Sequence, residues 1–177
     1  MRRIVLFIFL VSSFSVSSQT SDEDQEVVVK TIKKGDWSKW VFGNTALNVV
    51  ESGEYNRWYV GLWGMELYIA TTTAGEWSQW EVEYMNAKCT AVNNKKKNSW
   101  VFEGDGKTVE LVADDKKMTA WTIKAEKTIT LSMKDPSDKN VWLLKGLGAG
   151  TGSASLDVMT VFIPLFSAVI SEEYKLK

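Results

Sequence analysis

Histidine is absent from the 177-residue sequence, and Cys89 is its one cysteine. Without histidine there is no Ser-His-Asp or Cys-His pair, no histidine general base and no histidine metal ligand. A single cysteine excludes an internal disulfide, and Cys89 has no histidine to activate it. The composition therefore predicts a protein that is not an enzyme, with no catalytic residues, no metal site and no cofactor.

Other chemical motifs are also missing. The glycine-rich stretch Gly146–Gly152 lacks the G-x-G-x-x-G spacing of a dinucleotide loop, so we interpret it as a flexible linker. The aspartates at Asp114-Asp115 and at Asp135 and Asp138 lack the glycine and terminal glutamate of an EF-type calcium loop. We interpret both aspartate clusters as solvated turns.

Excess positive charge is lacking too. Lysine and arginine total 21 against 22 aspartates and glutamates, which gives a formal net charge of −1. A domain that binds nucleic acid normally carries a basic patch or stripe. The charge balance therefore predicts that nucleic acid is not a partner.

The N-terminus has the three parts of a secretory signal peptide. Arg2 and Arg3 precede the apolar run Ile4–Leu10, and a serine-rich zone follows to Gln19. This apolar run is shorter than the ~20 residues that a membrane-spanning helix needs. We predict a signal peptide over residues 1–19, a disordered acidic leader over 20–25, and export of a protein that is not an integral membrane protein, to the periplasm or the extracellular space.

Short runs of β-branched and aromatic residues fill most of the single domain predicted over residues 26–177. In Trp77–Met85, for example, Trp80, Val82 and Tyr84 share one face and glutamates lie on the other. Turn signals such as Gly104-Asp105-Gly106 separate the runs at intervals of about ten residues. The pattern predicts an all-β fold, an antiparallel up-and-down meander of about eight to ten strands. We favour a closed barrel over a sandwich, because closure removes exposed edges.

The C-terminal segment over residues 153–177 departs from this pattern. Leu156–Ile170 is almost entirely apolar and is long for a strand, while Pro164 would kink a helix. Two interpretations remain open from the sequence, a helix packed on the barrel or two short strands.

Nine tryptophans are the most unusual feature of the composition. Trp37-Ser38-Lys39-Trp40 and Trp77-Ser78-Gln79-Trp80 repeat a W-S-x-W pattern, each after a glycine and an acidic residue. We interpret the pair as a faint internal duplication. Tryptophan usually supplies buried area to a core, so most of the nine are expected inside the domain.

Aromatic residues occur on both faces of the segment Tyr55–Trp63. Trp58, Val60 and Leu62 share one side, and the other side carries Tyr55, Arg57, Tyr59 and Trp63. Arg57 is the only arginine after residue 3. A guanidinium among aromatic rings suits a ligand with a carboxylate or phosphate head, whereas flat rings suit a sugar or a lipid. We predict a ligand site at Tyr55, Arg57, Tyr59 and Trp63; the alternative is an outward arginine that covers exposed rings through cation–π contact.

The segment Gly35-Asp36-Trp37, early in the domain, resembles the G-x-W that opens the first barrel strand of lipocalins. The resemblance covers Gly35 to about Ile170, although the arginine that the family carries after its last strand is replaced here by the nearby Lys145. It implies a cup-shaped barrel that holds a small hydrophobic ligand and performs no catalysis.

Two functions follow as expectations. The first is an exported carrier of a small hydrophobic or lipid-like ligand, which needs an interior that side chains do not fill completely. The second is an envelope interaction or structural module, which would bind a protein partner or carbohydrate through exposed aromatic rings.

Overall fold

The computed structural model describes residues 26–62, 65–84, 87–94, 98–125, 128–146, 151 and 153–176. The predicted signal peptide (1–19) and acidic leader (20–25) lie outside these residues. Twelve strands and a C-terminal helical segment make up the described fold. The strands are β1 (Glu26–Thr31), β2 (Lys39–Phe42), β3 (Thr45–Glu51), β4 (Glu54–Leu62), β5 (Met65–Thr71), β6 (Gln79–Tyr84), β7 (Ala87–Asn94), β8 (Ser99–Gly104), β9 (Lys107–Ala113), β10 (Ala120–Lys124), β11 (Thr128–Asp135) and β12 (Asp138–Lys145).

The strands form one closed antiparallel barrel, as predicted. Each strand pairs with its neighbours in the chain, and β1 closes the barrel by pairing with β12, where Glu26 lies opposite Lys145. Inward positions follow the predicted alternation, since Trp80, Val82, Trp100 and Phe102 are all at most 3% exposed. Hydrophobic periodicity of two therefore fixes which face of each strand points into the barrel.

The barrel has twelve strands, more than the eight to ten expected from the sequence. Seven strands, β6 to β12, lie between residues 76 and 145, and five, β1 to β5, lie in the first half of the chain. There β2 is only four residues long, and the two-residue turn Gly43-Asn44 joins it to β3, so the two strands look like one run in the sequence. Gly43 takes the left-handed conformation (φ 54°) that such a turn requires.

A buried tryptophan occupies the same place in every second strand. The six are Trp40 (β2), Trp58 (β4), Trp80 (β6), Trp100 (β8), Trp121 (β10) and Trp142 (β12). In five of them the structure describes an indole N–H that donates to the carbonyl oxygen three residues earlier, at distances of 2.7 to 3.2 Å. The barrel is thus six hairpins of similar construction, and the two W-S-x-W segments lie in the first and third of them. We call the end of the barrel that carries these tryptophans the tryptophan end.

The C-terminal segment is a helix, and it lies inside the barrel. Helix α1 (Ala154–Leu165) continues into a π-helical segment (Phe166–Ile170) and a short helix α2 (Ser171–Glu173). Almost every residue from Ser155 to Ile170 is buried, on all sides of the helix. The ring of Phe162 packs against Trp58 of β4 (5.6 Å between ring centroids) and Trp80 of β6 (4.8 Å). A helix that is apolar all round needs such a surrounding wall.

Barrel dimensions explain why one helix fits. Twelve strands about 4.8 Å apart and tilted by about 40° enclose a backbone cylinder about 12 Å in radius. After inward side chains are placed, the remaining space matches an α-helix, whose diameter with side chains is ~10–12 Å. By length and composition the helix Ala154–Glu173 could also cross a membrane, but 78% of its most apolar window is buried in the protein.

Polar contacts hold both ends of the helix. At its start Ser153 is the N-cap and contacts Asp105 of the β8–β9 turn, while Lys107 donates to the carbonyl oxygen of Thr151. At its end Lys139 pairs with Glu172 (3.0 Å) and Glu173 (2.9 Å). The helix therefore begins at the end of the barrel opposite the tryptophan end and finishes at the tryptophan end.

Candidate functional site

The residues predicted as a ligand site lie in two different environments. Tyr55 stacks on Tyr174, just after the end of the helical segment, with 3.7 Å between ring centroids. Burial and a hydrogen bond to Tyr55 raise the pKa of Tyr174. Tyr55 is therefore part of the packing that holds the chain end against the tryptophan end.

Arg57 and Tyr59 lie on the outer wall of the barrel. Trp58 and Val60, on either side of Tyr59, are fully buried, so the alternate positions of β4 point outward. The guanidinium of Arg57 lies 4.9 Å from the ring centroid of Tyr68 in β5, and Tyr59 meets Tyr68 edge to face at 5.8 Å. This is the cation–π geometry that the sequence offered as the alternative to a ligand site. Trp63 lies outside the described residues.

A different set of side chains surrounds an open cleft of about 580 Å³ at the tryptophan end. We call it the aromatic cleft. Residues from three turns and from the end of the helical segment line it: Gly75, Glu76, Trp77, Ser78, Asn93, Asn98, Trp100, Met118, Trp121, Phe166, Ser167, Ser171 and Leu176. Its volume falls within the range of small-molecule sites, ~300–1,000 Å³.

The tryptophans that line the aromatic cleft differ in burial. Trp100 and Trp121 are 3% and 1% exposed and belong to the core. Trp77 is half-buried, and its ring stacks on Phe166 at 5.8 Å between centroids. Indole and phenyl rings thus form one side of the cleft, while amide and hydroxyl groups form much of the rest.

The hairpin repeat explains how Asn93 reaches this position. At four of the buried tryptophans the carbonyl oxygen two residues earlier accepts the N–H of a residue on the strand that follows the tryptophan strand. These N–H donors are Val49, Asn93, Ala113 and Met133. Three of the four equivalent residues are apolar, and the polar one, Asn93, lines the aromatic cleft.

Ser167 is a second unusual polar group in the cleft. Its Oγ is buried and has no hydrogen-bond partner among the described residues, as is also true of Ser99 Oγ. Leaving a buried hydroxyl unpaired costs about 1–3 kcal/mol. Ser167 differs from Ser99 because it lines the aromatic cleft and a neighbouring cleft of about 490 Å³. That neighbouring cleft also carries Lys116, Lys117 and Lys139.

Reactive groups lie away from the aromatic cleft. Burial raises the pKa of the Cys89 thiol to about 12, so the thiol is protonated and unreactive at neutral pH. Burial also raises the pKa of Asp157, which accepts a hydrogen bond from the Thr151 N–H near the start of the helix. Within the part of the chain that the structure describes, no three Cys, Asp or Glu side chains cluster as a metal site would require.

Sequence reasoning did not identify the aromatic cleft, although one signal pointed to it. The second W-S-x-W segment contains Trp77 and Ser78, and both line the cleft. Asn93 lies beside Ser78 in the local β6–β7 pair, whereas Ser167 carries no local signal, because its neighbours in the cleft come from distant parts of the chain.

Comparison with protein-family models, with curated proteins and with solved structures finds no match for this chain.

Proposed function

We propose that this chain is an exported, non-enzymatic binding protein that holds its ligand in the aromatic cleft at the tryptophan end. The observation that carries the proposal is the filling of the barrel by the chain's own helix, together with the open cleft that aromatic and polar side chains line at its mouth. The absence of histidine and the protonated, buried Cys89 support binding rather than catalysis. Export to the periplasm or the extracellular space rests on the signal peptide predicted over residues 1–19.

The resemblance to lipocalins supports a closed barrel and a binding role. Lipocalin barrels have eight strands and bind ligands in the interior, whereas here Phe162 and its neighbours occupy that space. A carrier with its ligand inside the barrel would require the helix to leave. We therefore place the proposed ligand at the mouth, where no element has to move.

An envelope protein as partner is the second candidate, and the outer-wall residues favour it. Tyr68 is 37% exposed beside Arg57, which provides an aromatic and a cationic group on one surface. Such groups are enriched at protein interfaces.

Native mass spectrometry of the mature protein purified from its own envelope, followed by solvent extraction, tests the first proposal. We expect a bound small molecule in the wild-type protein, reduced occupancy in Trp77→Ala, and unchanged occupancy in Trp37→Ala. Trp37 is a suitable control because it starts the other W-S-x-W segment and is not among the residues that line the aromatic cleft. Equal occupancy in the two variants would contradict the placement of the ligand.

A further inference from the structure

From the side chains of the aromatic cleft we infer its ligand class: a neutral saccharide, bound with one sugar face against Trp77. This inference rests on the proposed function and specifies the ligand of the same site. It comes from three features of the cleft, namely a half-exposed ring, several groups that both donate and accept hydrogen bonds, and the sign of the charge that lines it.

The ring geometry suits a flat, weakly apolar surface. Trp77 packs against Phe166 (interplanar angle 29°) and against Trp80 (5.9 Å between centroids), and these contacts restrict the orientation of its ring before a ligand arrives. The C–H face of a pyranose ring can pack on such an indole without any rearrangement of the wall. A rigid ring also lowers the entropy lost on binding.

The polar groups suit hydroxyls. Asn93 and Asn98 each offer an amide that donates and accepts, and Ser171 Oγ already donates to the carbonyl of Ser167 (3.2 Å), which leaves its acceptor capacity free for a ligand. Ser167 Oγ has no partner among the described residues, and a sugar hydroxyl would supply one once a rotation about χ1 exposed this buried oxygen to the cleft. A purely hydrocarbon ligand would leave all of these groups unpaired at a cost in affinity.

Charge decides between neutral and anionic ligands. The charged side chain among the described lining residues is Glu76, a carboxylate, which would repel a phosphate or a uronic acid. The cations Lys116, Lys117 and Lys139 line the neighbouring cleft, and there Lys139 is already paired with Glu172 and Glu173. Among the described lining residues, therefore, the charge of the aromatic cleft favours a neutral saccharide over an anionic one.

Isothermal titration calorimetry with neutral trisaccharides (maltotriose, cellotriose and N,N′,N″-triacetylchitotriose) on the mature protein tests the inference. We expect at least one of them to bind, and trigalacturonate, the anionic counterpart, to bind at least about tenfold more weakly, a difference that corresponds to 1.4 kcal/mol. We expect Trp77→Ala to weaken binding about tenfold or more and Trp37→Ala to leave it within twofold.

Ser167→Ala is the second variant, and it remains informative if Trp77→Ala does not fold. Removing an unpartnered hydroxyl should not lower the melting temperature, but it should weaken saccharide binding several-fold. Ser99→Ala is the matched control, because Ser99 is buried and unpartnered as well and is not among the lining residues of the cleft. Unchanged affinity in Ser167→Ala and Trp77→Ala would overturn the site.

The failure of this inference can be told apart from failure of the proposed function. If no neutral trisaccharide binds at millimolar concentration while a native ligand still depends on Trp77, the saccharide class is wrong and the binding function stands. If trigalacturonate binds more tightly than every neutral trisaccharide, the charge argument is overturned. A native ligand whose occupancy is equal in Trp77→Ala and Trp37→Ala overturns both proposals.

Discussion

At the scale of single residues, five of the six buried tryptophans are described as combining packing with a local hydrogen bond. Trp142 is fully buried, and its indole N–H donates to the carbonyl of Lys139 at 3.0 Å. In each of the five described cases the acceptor is the carbonyl oxygen of the residue three positions before the tryptophan. The bond satisfies the indole N–H, a donor that the apolar core would otherwise leave unpaired.

Replacing Trp142 separates the two contributions. We expect Trp142→Phe to lower the free energy of unfolding by about 1–2 kcal/mol, because it removes a hydrogen bond and little of the ring packing. We expect Trp142→Ala to lower it by about 3–5 kcal/mol, because it also leaves a large cavity. Urea denaturation followed by circular dichroism measures both values. Equal losses in the two variants would show that the hydrogen bond, and not the ring, dominates.

Two glycines in strands provide a matched pair for steric packing. A Cβ added at Gly104 would lie 2.9 Å from Cys89 Cβ and 3.1 Å from the Lys88 carbonyl oxygen, both part of the adjacent strand β7. At Gly61 the nearest atoms would be 3.4 Å away in the ring of Tyr59. The first contact must displace backbone, and the second meets an outward side chain.

We therefore expect Gly104→Ala to destabilise the protein by about 1–3 kcal/mol, as overpacking does. Gly61→Ala should change stability by less than about 0.5 kcal/mol, as most surface substitutions do. Thermal denaturation of both variants provides the comparison. A stable Gly104→Ala protein would show that β7 and β8 can separate without cost.

At the scale of elements, alternation predicts the strands well and says little about the helix's location. Ile129, Leu131 and Met133 alternate with polar residues in β11, and all three point inward as the sequence predicts. The helix has no polar face, so its pattern indicates burial without saying against which strands. Strand count is harder to predict where a turn such as Gly43-Asn44 is only two residues long.

The candidate site could not be predicted for a related reason. Trp77 and Asn93 are brought together by the pairing of the neighbouring strands β6 and β7, but Ser167 is far from both in the sequence, and only insertion of the helix brings it to them. The site predicted at Arg57 and Tyr59 consists of residues on one strand, and the sequence does show that such residues are neighbours. Alternation places these residues on one face but does not say whether that face forms a cavity.

Protonation of Asp157, near the start of the helix, makes the stability of the protein depend on pH. Burial raises its pKa in the folded protein, while the Thr151 hydrogen bonds and Lys107 act in the opposite direction. A raised carboxyl pKa contributes stability that is fully present below the unfolded pKa of about 3.9 and is lost as pH rises through the folded pKa. At neutral pH, the ionised carboxylate is therefore less favourable in the folded protein than a neutral group of the same shape.

We expect Asp157→Asn to be at least as stable as wild type at pH 7, since its amide oxygen can still accept from the Thr151 N–H. The advantage should shrink as pH falls towards 4. Asp157→Ala loses the acceptor and should cost about 1 kcal/mol. Urea denaturation at pH 7 and pH 4 measures all three proteins. A lower stability of Asp157→Asn at pH 7 would show that the negative charge is favourable beside Lys107.

At the scale of the whole molecule, the barrel and its helix form one hydrophobic core. Phe162 of the helix contacts both Trp58 of β4 and Trp80 of β6, and Phe166 contacts Trp80. Without the helix, these inward side chains would line a space large enough for water. The barrel and the helix should therefore fold and unfold together in one transition.

Truncation after Gly146 tests this cooperativity. We expect the shortened chain to lose its cooperative urea transition and to bind the dye ANS, as proteins with exposed apolar surface do. A synthetic peptide of residues 151–177 added in trans should restore the transition, because the peptide supplies the missing half of the core. Truncation after Ser171 is the matched control: it removes the Lys139 ion pairs and the Tyr55–Tyr174 stacking, mostly at the surface, and should cost only about 1–2 kcal/mol. If a chain ending at Gly146 still unfolds cooperatively, the barrel is stable without the helix in its interior. The barrel interior would then replace the aromatic cleft as the candidate ligand site.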